Sequence, residues 1–243
     1  MVVLSAPASV ASSGLPAARR TGWRRFLLPV TYAYVAALVA VTVWLSTMND
    51  TTETRFVLHV STNLHNLVRG HYGTLFSSAF VIGDTEVALL IIPLLLSLLA
   101  LAELRFGAWQ VIRIFLAGHI GATLLVALGL WVAVEAGWLP MAVTRAEDVG
   151  ISYGALALIG AFYAVLPARW RPTWAITWLA VAVAGVVMGR TFTNVGHLLA
   201  VAIGLAAGFW ALRIGRFALP KLTRYETGLL IVAAALGYLL LVG

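Results

Sequence analysis

Gly150-Ile151-Ser152-Tyr153-Gly154-Ala155-Leu156-Ala157-Leu158-Ile159-Gly160 is the stretch from which the fold reads outward. It is apolar enough to lie in lipid, yet it opens on a serine between Gly150 and Gly154. Gly160 falls two helical turns beyond Ser152 and leaves the same face bare for a close neighbour. A second stretch, Gly196-His197-Leu198-Leu199-Ala200-Val201-Ala202-Ile203-Gly204, carries a histidine. Gly196, Ala200, Gly204 and Gly208 recur there at every fourth position. That spacing makes a small-residue ridge on one helix face, with His197 at its border.

The rest of the chain places both stretches in a membrane. Of 243 residues, 62% are hydrophobic and only 10% charged, and the mean hydropathy is +0.98. Long apolar runs in that proportion exclude an ordinary soluble domain and predict an all-α polytopic membrane protein. Charges cluster between the runs rather than alternating through them, which excludes a β-barrel. There is no cysteine, hence no disulfide or thiolate site. The net charge of +7 reads as loops facing anionic lipid heads rather than as a nucleic-acid surface.

Seven spans are predicted, at roughly 28–47, 82–102, 108–133, 149–166, 173–189, 193–212 and 226–242. They form one transmembrane domain, 28–242, behind a basic tail, 1–27, that holds Arg19, Arg20, Arg24 and Arg25. With the N-terminus inside, Arg105, Arg169, Arg171, Arg213, Arg216, Lys221 and Arg224 join that tail on the cytoplasmic side. Arg55, Arg69, Arg145 and Arg190 fall outside. The bias predicts a cell-membrane protein with its N-terminus cytoplasmic and its C-terminus outside. Residues 48–77 form a long first loop, part of which is expected along the interface. Arg113 is expected to snorkel, His119 to pack between helices, and Trp138 and Trp170 to anchor span ends.

On this topology Ser152 and His197 lie at similar depth near the outer mouths of the fourth and sixth spans. Two readings stand. A serine with a histidine base within ~3 Å is a nucleophilic pair. Alternatively, Ser152 caps its helix or bonds a carbonyl one turn back, and His197 donates to a neighbouring carbonyl. The five residues GISYG also fit a nucleophile elbow, but no strand precedes them, so the soluble hydrolase fold is rejected.

Together these features resemble the rhomboid family of intramembrane serine proteases, and in particular are similar to divergent actinobacterial rhomboid-like membrane proteins. Gly150-Ile151-Ser152 matches the first part of the family's GxSG motif. Gly160 matches a glycine two turns on. Gly196-His197 and its glycine face match the family's histidine helix, and Glu103-Leu104-Arg105-Phe106-Gly107 resembles its acidic-then-glycine turn. The resemblance covers roughly 28–242. It implies a six-helix core plus a C-terminal seventh helix, a Ser152–His197 dyad, no cofactor, and transmembrane protein segments as substrates, or as clients if the protein is a non-catalytic pseudoprotease.

Two departures are visible. Tyr153 replaces the glycine after the serine, close to the expected oxyanion site. The second span opens Phe80-Val81-Ile82-Gly83-Asp84-Thr85-Glu86-Val87, without the histidine and asparagine that donate to the oxyanion in active members. Asp84 and Glu86 accept hydrogen bonds when ionised and have the wrong polarity. His59 and Asn63, four residues apart and on one face if that stretch is helical, are the candidate substitute donors. Gly150, Tyr153, Gly154 and Asn194 complete the candidates that shape the site. The first-loop histidines lack a recognised metal-ligand pattern.

Overall fold

The computed structural model describes residues 27–83, 85–149, 151–214 and 221–242. The basic tail up to residue 26, Asp84, Gly150 and Arg216 lie outside the described residues. Ten helices and no strand occur among the described residues: α1 (Pro29–Leu45), α2 (Asp50–Val60), α3 (Leu64–Val68), α4 (Thr74–Ser77), α5 (Thr85–Phe106), α6 (Ala108–Glu135), α7 (Ser152–Ala161), α8 (Arg171–Gly189), α9 (Phe192–Arg213) and α10 (Arg224–Val242), with short 3₁₀ turns between some of them.

Five of these, α5, α6, α8 (with its preceding turn), α9 and α10, are long and apolar enough to cross a membrane. Where the sequence predicts seven spans, the other two apolar helices are shorter. α1 has 17 residues, and α7 with its 3₁₀ extension runs only from Ser152 to Ala164. At ~1.5–2 Å per residue that extension reaches about 20–25 Å, less than the ~30 Å hydrocarbon layer. The shortness of α7 has a physical reason, because α7 does not face lipid. Every residue from Ala155 to Phe162 is buried. Helices α5, α6, α9, α8 and α10 surround it, each packing on the next, and α10 closes the circle back onto α5. α1 lies outside this ring, against α5 and α6.

Glycines set the closeness of the central packing. A Cβ on Gly160 would lie 2.6 Å from the Val201 carbonyl oxygen, and one on Gly208 would lie 2.8 Å from that of Ala161. A Cβ on Gly204 would run into the Ala157 backbone. α7 and α9 therefore meet backbone to backbone, which is the close approach that small residues permit in lipid. Ala200 on the same ridge is wholly buried.

At the other end from Ser152, the Glu103–Gly107 turn ties three elements together. Gly107 takes φ +81° between α5 and α6, a left-handed position that favours glycine. The Glu103 carboxylate accepts from the Thr31 amide and the Thr31 hydroxyl, both at 2.8 Å, and from the Val30 amide at 3.3 Å. It thus caps α1, whose own N-cap residue supplies no side-chain bond, and it sits where the helix dipole favours negative charge. Arg105 Nε lies 3.4 Å from Glu226 Oε1 of α10. Glu226 also forms a reciprocal capping box with Thr223.

Candidate functional site

Ser152 is the first residue of α7 and is half-buried. The residue before it, Ile151, makes no side-chain cap bond, and the first helical bond runs from Ala155 N–H to the Ile151 carbonyl at 3.0 Å. The first-turn N–H groups, those of Ser152 and Tyr153 among them, thus lack intrahelical partners, as at any helix start. Among the described residues the Ser152 hydroxyl makes no hydrogen bond. It does not cap α7.

His197 sits in the second turn of α9, 7% exposed, and neither ring nitrogen has a hydrogen-bond partner among the described residues. Ser152 and His197 are therefore not hydrogen-bonded to each other. Tyr153 occupies the space beside the imidazole. Its ring stands edge-on to His197 with centroids 5.6 Å apart, and it fills the space that a side chain on Gly196 would need. Gly196 thus accommodates an aromatic ring, whereas Gly204 and Gly208 on the same ridge accommodate the α7 backbone. Gly154 does the same for the Phe115 ring of α6, which lies 2.5 Å from the position of an added Cβ.

The remaining candidates have local structural roles. Asn194 Nδ2 donates to the Gly185 carbonyl at 2.8 Å, tying the start of α9 to α8. The connecting Arg190 closes α8 at φ 52°. The continuous helix that would put His59 and Asn63 on one face does not form. α2 ends at Val60, Ser61 is extended, and Asn63 accepts from the Asn66 amide as the N-cap of α3. Asn66 holds this turn through the carbonyls of Leu58 at 3.0 Å and Ser61 at 2.8 Å. His59 is exposed, with its ring 6.3 Å from that of His71.

A buried polar chain that the sequence reading missed runs beneath the mouth. His119 Nε2 lies 3.1 Å from Ser78 Oγ, Ser78 Oγ lies 2.6 Å from Thr62 Oγ1, and Thr62 Oγ1 donates to the Thr74 carbonyl at 2.9 Å. All three side chains are almost fully buried. One proton arrangement satisfies every donor: His119 Nε2–H to Ser78, Ser78 to Thr62, Thr62 to the carbonyl. His119 thus anchors the first loop to α6 rather than merely filling space between helices. Nothing in the local sequence singles out Thr62 and Ser78 from the other polar residues of this stretch.

The link between α6 and α7 closes over the same region. Thr62 N–H donates to the Asp148 carbonyl at 2.9 Å, and the Asp148 amide donates to Ser61 Oγ at 2.8 Å. Burial pushes the Asp148 carboxyl up to about 6, against a smaller opposing influence of the Tyr153 hydroxyl. That hydroxyl makes no hydrogen bond of standard geometry among the described residues, so its influence on Asp148 is that of a near neighbour. Partial desolvation also raises Glu147, which stays largely exposed.

Fold and site together define a polytopic helical membrane protein built around a short central helix, with a serine at its mouth and a histidine on the helix beside it. The rhomboid-like protein family matches residues 25–216, and the chain belongs to that family. No curated protein and no solved structure matches it.

Proposed function

We propose that this protein is a rhomboid-like intramembrane serine hydrolase, with Ser152 as nucleophile and His197 as base, held at rest with the pair unjoined. The observation that carries this reading is the buried imidazole whose two nitrogens both lack partners among the described residues. An unsatisfied buried polar group costs ~1–3 kcal/mol, and such groups in native proteins call for an explanation. A base awaiting its nucleophile supplies one. Catalytic hydrogen bonds also commonly tighten only when substrate is bound.

In the reaction, Ser152 Oγ attacks a peptide carbonyl carbon and passes its proton to His197. The oxyanion develops toward the uncapped first-turn N–H groups of α7, where the helix dipole is positive. The tetrahedral species collapses as His197 returns the proton to the leaving amine. Water entering at the mouth then hydrolyses the Ser152 ester. Ser78, the serine that does bond a histidine, is wholly buried, which leaves Ser152 as the one of the two that a substrate meets. On the N-inside orientation the mouth faces outward, and the substrate is a membrane-protein segment near the outer surface of the cell membrane.

A second reading, a non-catalytic rhomboid-fold protein that binds transmembrane clients, is favoured by the Tyr153 ring against His197 and by the absent donors over 80–87. Labelling with a fluorophosphonate separates the two. The hydrolase labels at Ser152 and loses the label in Ser152→Ala, whereas the binder labels no more than that variant.

A further inference from the structure

The family match ends at residue 216, and α10 begins beyond it at Arg224. Even so, α10 is a member of the ring around α7. It packs on α5, on α8 and on α7 itself, while α5 and α8 make no extensive contact of their own. Its Ala233 and Leu236 are wholly buried.

Hydrophobic burial does not hold α10 there, because an apolar helix loses little by moving into lipid. Close packing and charge do. A Cβ on Gly185 of α8 would lie 2.8 Å from the Leu241 carbonyl oxygen. One on Gly237 of α10 would lie 2.7 Å from Trp178 of α8 and would also run into Ile159 of α7. The helices therefore cross at backbone distance along one half of the seam. At the other half the Arg105–Glu226 pair joins α5 to α10, with side chains only 4% and 15% exposed.

We propose that α10 seals the seam between α5 and α8, so that the segment acted on reaches Ser152 through the mouth. It would come as an extended, water-exposed stretch flanking a transmembrane helix, not as a helix entering sideways from lipid. The choice of substrate rests on the hydrolase reading, whereas the seal does not. Every other seam of the ring is also occupied by packed neighbours, and Ser152 at the mouth is the one residue of α7 that is not fully buried.

The absence of native cysteine makes the test direct. In proteoliposomes, the full chain carrying Ile159→Cys is treated with a membrane-soluble maleimide, with Ile231→Cys on the exposed face of α10 as reference. We expect Cys at 159 to be protected at least tenfold relative to the reference, and to lose that protection when Gly237→Leu pushes α10 outward. Equal reactivity of the two positions without Gly237→Leu overturns the seal. A polar, membrane-impermeant fluorophosphonate should label Ser152 at the same rate with and without Gly237→Leu. A tenfold rise on opening the seam overturns entry through the mouth. Labelling in neither background removes the hydrolase reading and with it the substrate class, while the maleimide result still decides the seal.

Discussion

The Tyr153 ring meets the His197 imidazole edge-on, centroids 5.6 Å apart and planes at 79°, and it does so over the bare Cα of Gly196. Tyrosine and glycine on adjacent helices are complementary here. Gly196→Ala is expected to destabilise the fold by about 1–3 kcal/mol through overpacking. Tyr153→Ala in the same chain should recover much of that loss, and thermal unfolding in detergent of the two single variants and the double variant measures the coupling.

The same ring stands between His197 and any partner on that side. Tyr153→Gly should free the imidazole to turn toward Ser152 and speed fluorophosphonate labelling about tenfold, equivalent to ~1.4 kcal/mol of barrier. Unchanged or slower labelling would show that Tyr153 is not what keeps the pair unjoined.

Asp148 should make stability depend on pH. Its carboxyl titrates at about 6 rather than 3.8 because it is buried. The native state therefore holds the proton more tightly than the unfolded chain. The stability this gives is complete below pH ~4, falls as pH rises from about 4 to 6, and stays lower above that, by on the order of 2–3 kcal/mol. Asp148→Asn should remove this part of the slope and be the more stable protein at pH 7. Unfolding curves at pH 5 and pH 7 test both statements.

Glu103 should matter at the far end of the molecule. It holds the first turn of α1 from α5, and leaving such buried donors without their acceptor commonly costs ~1–3 kcal/mol. Glu103→Ala should lower the unfolding temperature and loosen α1, read as faster hydrogen exchange of the Val30 and Thr31 amides. Glu103→Gln, which keeps an acceptor, should recover part of the loss.

Much of this molecule is legible in its sequence because lipid leaves few options. Apolar runs give the helices, and the four-residue spacing of Gly204 and Gly208 gives the face that meets α7. Periodicity does not reveal which object each glycine faces: Gly196 and Gly204 look alike in sequence, yet one meets a ring and the other a carbonyl. The brevity of α7 was also hidden, since a helix enclosed by others and a helix in lipid are equally apolar. The fate of His59 and Asn63 depended on where α2 ends, and the extended Ser61–Asn63 link is fixed by bonds to Asp148, which lies 87 positions from Ser61 in the chain. Long-range bonds of this kind, like Thr62–Ser78–His119, leave no local pattern.

The proposed function depends on Ser152 being a nucleophile served by His197. Purified wild-type protein, Ser152→Ala and His197→Ala are each exposed to a fluorophosphonate between pH 6 and 9, with the modified residue located by mass spectrometry. The expected result is a covalent adduct on Ser152 of the wild type, none at that position in Ser152→Ala, and labelling slowed about 10²-fold or more in His197→Ala. Wild-type labelling no greater than that of Ser152→Ala across this range would contradict it.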